Sequence, residues 1–90
     1  MPQAIIDPEQ VRRFASHLDQ SAALIREQKT ATMAGSARLH ETWRDEKYAH
    51  FDQLFVESMK LLERYLQQSE QYSAFLKQKA ARAQKYLDQR

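Results

Sequence analysis

Three histidines, no cysteine and a scatter of carboxylates make up the metal and acid–base chemistry open to this 90-residue chain. His17, His40 and His50 are too dispersed to supply the paired zinc ligands of an HExxH helix. A di-iron bundle would place Glu-x-x-His on two helices. The nearest approach, Glu46 and His50, is one residue too far apart and reads as an exposed i,i+4 contact. The serines have no His–Asp constellation in sequence reach, and one Gly cannot build a glycine-rich phosphate loop. Without Cys there is no thiol nucleophile, zinc ribbon or disulfide framework. The residues predict no catalytic site, no metal and no cofactor: this chain does not read as an enzyme.

The elements follow from composition and spacing. Hydrophobic residues are 42% and charged residues 29%, a globular balance rather than a disordered one. One Gly and two Pro leave almost nothing for hairpin turns, which excludes an all-β fold. No apolar run approaches the ~20 residues of a membrane span. Met1 to Ile6 lacks the basic and apolar regions of a signal peptide, so the expectation is a leaderless, soluble, all-α chain forming one domain over 1–90. The net charge of +2 sits wholly in residues 46–90. It gathers in Lys77, Lys79, Arg82, Lys85 and Arg90, where cations complement a helix C-terminus. No groove-reading motif accompanies them, which argues against nucleic acid as the partner.

Asp7-Pro8-Glu9-Gln10 marks a helix start, with Asp7 as cap, Pro8 at the first position and Gln10 closing a capping box. A 3–4 seam then runs Val11, Phe14, Leu18, Ser21, Ile25, Gln28, Thr32, Gly35 and Leu39. Gly35 suggests either a close backbone approach near the hairpin end or simple tolerance in the helix, with a functional hinge as the less favoured alternative. The chain breaks around residues 41–45, where Thr42 and Asp45 are both candidate N-caps. A second seam follows: Tyr48, Phe51, Phe55, Ser58, Leu62, Tyr65, Ser69, Tyr72 and Leu76. Two consecutive 4-steps to Ala80 predict a stutter. The expected helices cover about 8–40 and 45–87. Their unequal lengths predict that the segment from Lys77 onward overhangs the first helix uncovered.

Two helices alone cannot cover stripes this wide, and oligomerisation is the common remedy for so small a core. The reading is an antiparallel helical hairpin that dimerises into a four-helix bundle. Its expected core and dimer interface are Phe14, Leu18, Ile25, Tyr48, Phe51, Phe55, Leu62, Tyr65 and Tyr72. Trp43, almost at the midpoint, is expected to plug the hairpin end with its indole N–H turned to a carbonyl or water.

About ninety residues, two helices and a Trp at the connecting turn make this chain resemble the WXG100 (ESAT-6-like) family. Trp43, Arg44 as the free residue, and Asp45 where that family usually has Gly are the positions that carry the resemblance. It implies an antiparallel hairpin acting as a homodimer, or as a heterodimer with a related hairpin protein. It also implies secretion without a signal peptide by a type VII system. The family's Tyr-x-x-x-Asp/Glu export signal is not matched after helix 2, where Tyr86 is followed by Leu87-Asp88-Gln89-Arg90. Tyr48-x-x-x-Asp52 matches the spacing but opens helix 2. The alternative is a cytoplasmic chaperone or assembly adaptor of a secretion system, which would have the same composition.

Overall fold

The computed structural model describes residues 6–89, and among them the secondary structure is two helices joined by a tight turn. α1 runs Pro8–Thr42 (35 residues) and α2 runs Glu46–Asp88 (43 residues). At 1.5 Å per residue these are about 52 and 64 Å long. Packed antiparallel, they form a slab of 68 × 20 × 13 Å. The expectation of an all-α helical hairpin holds; its pairing into a bundle is a matter for a second molecule.

α1 begins with the cap and the Pro that its sequence predicts, but Gln10 returns no bond to Asp7, so the expected capping box is not closed. The Asp7 carboxylate accepts from the Glu9 backbone N–H at 3.0 Å, satisfying a donor that the first turn leaves open, and Pro8 occupies the first position. Ile6, in front of the cap, and Val11 are half-buried. Gly35 sits mid-helix with negative φ, and an added Cβ there would meet nothing nearer than the Arg38 guanidinium at 3.9 Å. The expected close backbone approach is absent at this position.

The stripe that each helix turns inward is not the one that the strongest apolar spacing selects. On α1 the inner seam is Pro8, Val11, Ala15, Leu18, Ala22, Ile25, Lys29 and Ser36, all buried or half-buried. Ala15 is fully buried while its neighbour Phe14 is 54% exposed. On α2 the inner seam is Tyr48, Asp52, Phe55, Met59, Leu62, Leu66, Ser69, Ser73, Leu76, Ala80, Ala83 and Leu87, again all buried or half-buried. Its steps alternate 4 and 3 from one end to the other, so the stutter expected between Leu76 and Ala80 disappears. It arose from placing Phe51, Ser58, Tyr65 and Tyr72 on the seam where the structure has Asp52, Met59, Leu66 and Ser73.

Size explains the choice. Alanines and serines at the contact let two helix backbones approach closely, whereas aromatic side chains would hold them apart. Ser69 and Ser73 are buried without an orphaned polar atom among the described residues. The Ser73 hydroxyl donates to the Ala15 carbonyl oxygen across the seam at 3.4 Å.

α1 also covers more of α2 than its length suggested. The ammonium of Lys77 meets Asp19 at 2.7 Å, Arg12 donates to the Gln84 side-chain oxygen at 3.2 Å, and Ala80 and Ala83 are buried. The expected overhang from Lys77 is therefore corrected: α1 reaches Gln84, and only about one turn of α2 lies beyond it. α1 runs on to Thr42, and the long side chains of Arg12 and Lys77 carry its pairing toward the end of α2.

Because the inner seam is built on small residues, enlarging them is the direct test of its register. Ala15→Leu or Ala80→Leu should cost about 1–3 kcal/mol by overpacking. Ala23→Leu, on the exposed side of α1, should stay within about 0.5 kcal/mol. Urea denaturation at fixed protein concentration reads the difference.

Candidate functional site

The turn is held by four side chains. Trp43 ends α1 in extended backbone (φ −137°, ψ 103°), and Asp45 caps α2 (φ −90°, ψ −177°). One carboxylate oxygen of Asp45 accepts from the backbone N–H groups of Lys47 and Tyr48, both at 3.0 Å. Thr42 is not a cap for α2, as the sequence allowed. It belongs to α1, and its hydroxyl donates back to the Leu39 carbonyl at 3.4 Å. Arg44 folds back likewise, its Nε donating to the His40 carbonyl at 3.2 Å and so satisfying an end group of α1.

Tyr48 is the residue around which the turn closes. It is buried, and its hydroxyl donates to the Ser36 carbonyl oxygen at 3.3 Å on the facing helix. Its ring stacks on His40 at 4.6 Å and takes the edge of Trp43 at 5.3 Å. Trp43 itself is half-buried, and stacks on Phe51 at 6.2 Å. Phe51 in turn stacks on Phe55 at 5.7 Å. The expected plug at the hairpin end is thus a cluster with Tyr48 inside and Trp43 partly open to solvent. Nothing in the sequence distinguished Tyr48 from the other tyrosines, since its burial depends on Ser36 arriving from α1.

The two flanks of the hairpin differ in chemistry. Across one, Arg12 reaches Gln84, Asp19 pairs with Lys77, and Arg26 pairs with Glu70 at 2.6 Å. Lys29 meets Glu63 at 3.2 Å on the same side. These partners are partly or largely solvated, so each contributes little to stability; their regular spacing sets the register of the helices. The hydrogen bond from Lys77 holds the Asp19 carboxyl below the usual carboxylate range, with a smaller contribution from Ser73. The Ser73 hydroxyl has one proton, directed at Ala15, so Lys77 carries the effect.

The other flank is apolar and open. On each helix a second seam runs beside the inner one, on the side away from the ion pairs, so both second seams emerge on the same flank. α2 contributes Phe51, Leu54, Leu61, Tyr65, Tyr72 and Phe75; α1 contributes Phe14 and Leu24. All are exposed, with Leu61 at 61% and Phe75 at 62%. Of the residues expected at a core or interface, Tyr48 is buried, and Leu18, Ile25, Phe55 and Leu62 are half-buried in the hairpin's own seam. Phe14, Phe51, Tyr65 and Tyr72 lie on this exposed flank. A shallow groove of about 230 Å³ follows it, between Leu24, Ile25 and Gln28 of α1 and Met59 and Leu62 of α2. A larger groove of about 590 Å³ lies near the turn on the ion-paired flank, where Met33, Val56 and Met59 replace the charged pairs.

The histidines sit apart: His40 packs on Tyr48, His17 lies 6.3 Å from the Phe14 ring, and His50 is exposed. Among the described residues no group of three or more His, Cys, Asp or Glu could hold a metal ion. No helix among them is long and apolar enough to cross a membrane.

A Trp-led turn, one charged flank and one long apolar flank define this helical hairpin. A model of the family described as "WXG100: Proteins of 100 residues with WXG" matches residues 3–86, and the chain belongs to that family. No curated protein and no solved structure matches it. Asp45 stands where the family name places Gly, and the turn shows why it is tolerated: φ is negative, so no left-handed residue is required. The Asp adds a cap that Gly cannot make.

Two outcomes test this site. Asp45→Ala should cost about 0.5–2 kcal/mol, while Asp45→Gly should cost only a few tenths, because Gly is a tolerated N-cap; thermal unfolding separates them. The depressed Asp19 carboxyl makes its pair a source of stability that is present above the ordinary Asp pKa and lost as pH falls through the lowered value. In Lys77→Gln the Asp19 carboxyl carbon should titrate at higher pH by NMR; an unchanged midpoint would remove Lys77 as the cause.

Proposed function

We propose that this chain is a non-enzymatic interaction protein that pairs its apolar flank with a second helical hairpin to form a four-helix bundle. The observation that carries the reading is the second seam of α2. Positions 51, 54, 58, 61, 65, 68, 72, 75, 79, 82 and 86 are all exposed. Their spacing alternates 3 and 4 without interruption, the repeat that helices use to interlock side chains. A contiguous apolar surface of this kind marks an interaction site in a monomer.

Membership of the WXG100 family supports the further reading that the pair is handled by a type VII secretion system, as a substrate or as the partner of one. In that role the hairpin contributes a folded helical surface rather than chemistry. The dimer is what such a system would carry, because pairing removes the aromatic flank from water. Leu61, Tyr65, Tyr72 and Phe75 each keep about half or more of their surface in water, and removing that apolar area is the gain that would oppose the cost of association.

Sedimentation equilibrium of the chain at high micromolar concentration in moderate salt should return about twice the chain mass. Leu61→Asp should return the mass of one chain, since it would bury an unpaired carboxylate. Arg64→Asp, outside the seam, should leave the dimer in place. A folded monomer at every concentration would sink the reading.

A further inference from the structure

Beside the turn, a groove of about 590 Å³ interrupts the run of ion pairs on its flank. It lies opposite the aromatic seam, so pairing through that seam leaves it open. From Lys29 to His40 on α1 it runs about 16 Å at 1.5 Å per residue. Met33, Ala37, Val56 and Met59 make up most of its walls, and the half-buried Phe55 belongs to the same lining.

Four side chains of formal charge line this groove: Lys29, Lys60, Asp52 and Glu63. Lys29 and Glu63 satisfy each other at 3.2 Å, and Glu63 also faces Arg26 at 3.8 Å. Lys60 is exposed on the outer rim, three residues from both Glu57 and Glu63, and water solvates its charge. Asp52 differs from all three. It is half-buried, it is the one charged position on the inner seam of α2, and it joins no ion pair among the described residues. A carboxylate drawn partly out of water is costly unless a cation or a donor meets it. The chain gives Lys77 to Asp19 and Arg26 to Glu70, and leaves Asp52 to the groove.

The neighbours of Asp52 suit a cation on an apolar body. Tyr48, four residues before it, and Phe55, three after, share its face of α2 and line the same groove, and aromatic faces attract cations. Met33 and Met59 supply flexible, polarizable walls that adapt to an aliphatic chain. We propose that this groove binds a small amphiphilic cation, an aliphatic chain ending in a primary ammonium. The ammonium meets the Asp52 carboxylate, and the chain lies along Met33, Val56 and Met59. The groove's volume falls in the range of about 300–1,000 Å³ that small-molecule sites occupy, and an apolar wall with few polar anchors is their usual make-up. An extended peptide fits less well, because its backbone N–H and C=O groups need partners that methionine, valine and alanine side chains lack.

Titration of the full chain with decylammonium and with decanoate, each below its micelle threshold, tests the proposal by NMR on isotope-labelled methionine and leucine methyl groups. The Met33 methyl reports the groove, and the Leu61 methyl reports the aromatic flank. Decylammonium should give a saturable shift at Met33 and none at Leu61. Decanoate should bind about tenfold more weakly, and Asp52→Asn should weaken decylammonium by about tenfold, the share of one hydrogen bond to a charged group. Lys60→Gln should leave decylammonium binding unchanged. Val56→Arg, which sets a cation on the exposed groove wall, should abolish it while circular dichroism shows both helices intact; this arm stands even where Asp52→Asn disturbs the turn. Decanoate binding as tightly as decylammonium, or binding lost in Lys60→Gln, would assign the groove to an anion and overturn the proposal. Met33 and Leu61 shifting together would mean adsorption on any apolar surface and overturn it as well. So would decylammonium binding that survives both Asp52→Asn and Val56→Arg, or no saturable shift at Met33. The sedimentation result expected for pairing is the same under each of these outcomes.

Discussion

Two helices share a single interface, and the identity of the side chains placed there governs the rest of this molecule. Each helix carries two adjacent seams, one of small and mixed residues and one of large apolar ones. A hairpin can close on only one of them. Closing on Ala15, Ala22, Ser73, Ala80 and Ala83 brings the backbones near each other and lets ion pairs line one flank. It also leaves Phe14, Leu61, Tyr65, Tyr72 and Phe75 in water. The hydrophobic effect is indifferent to which molecule supplies the cover, which is why the surface left open is the one proposed for association.

The turn works under the same constraint. Three residues must reverse the chain while keeping the small seams in register, and they do so without a left-handed residue. Asp45 starts α2 by satisfying two of its amides, and Arg44 answers a carbonyl at the end of α1. Tyr48 then reaches across to Ser36 and links the helices at the point where they diverge. Trp43 completes the cluster from outside. Half-buried beside Phe51, it joins the turn to the apolar flank, so the residue that marks the family sits where the hairpin's internal packing meets its interaction surface.

A charged flank and an apolar flank divide the tasks of stability and recognition. The ion pairs, exposed to solvent, contribute little energy each, yet they reject other alignments of α1 on α2. The apolar seam has the opposite character: its large side chains stand exposed and carry few charges.

Much of this was legible in the chain of residues alone. Helix-forming composition, the Asp7-Pro8 start, the paucity of Gly and the 3–4 spacing determined two long helices. Trp43 and Asp45 at the midpoint located the reversal. Local rules suffice there, because caps and periodicity act over a single turn. Which seam faces inward was not decided locally. Phe14 outranks Ala15 and Tyr72 outranks Ser73 in apolarity, and only the approach of the second backbone makes the smaller residue the better fit. The reach of α1 to Gln84 and the burial of Tyr48 have the same origin. Both depend on how residues 12 to 72 apart in sequence come together, which is settled by packing rather than by any one segment's pattern.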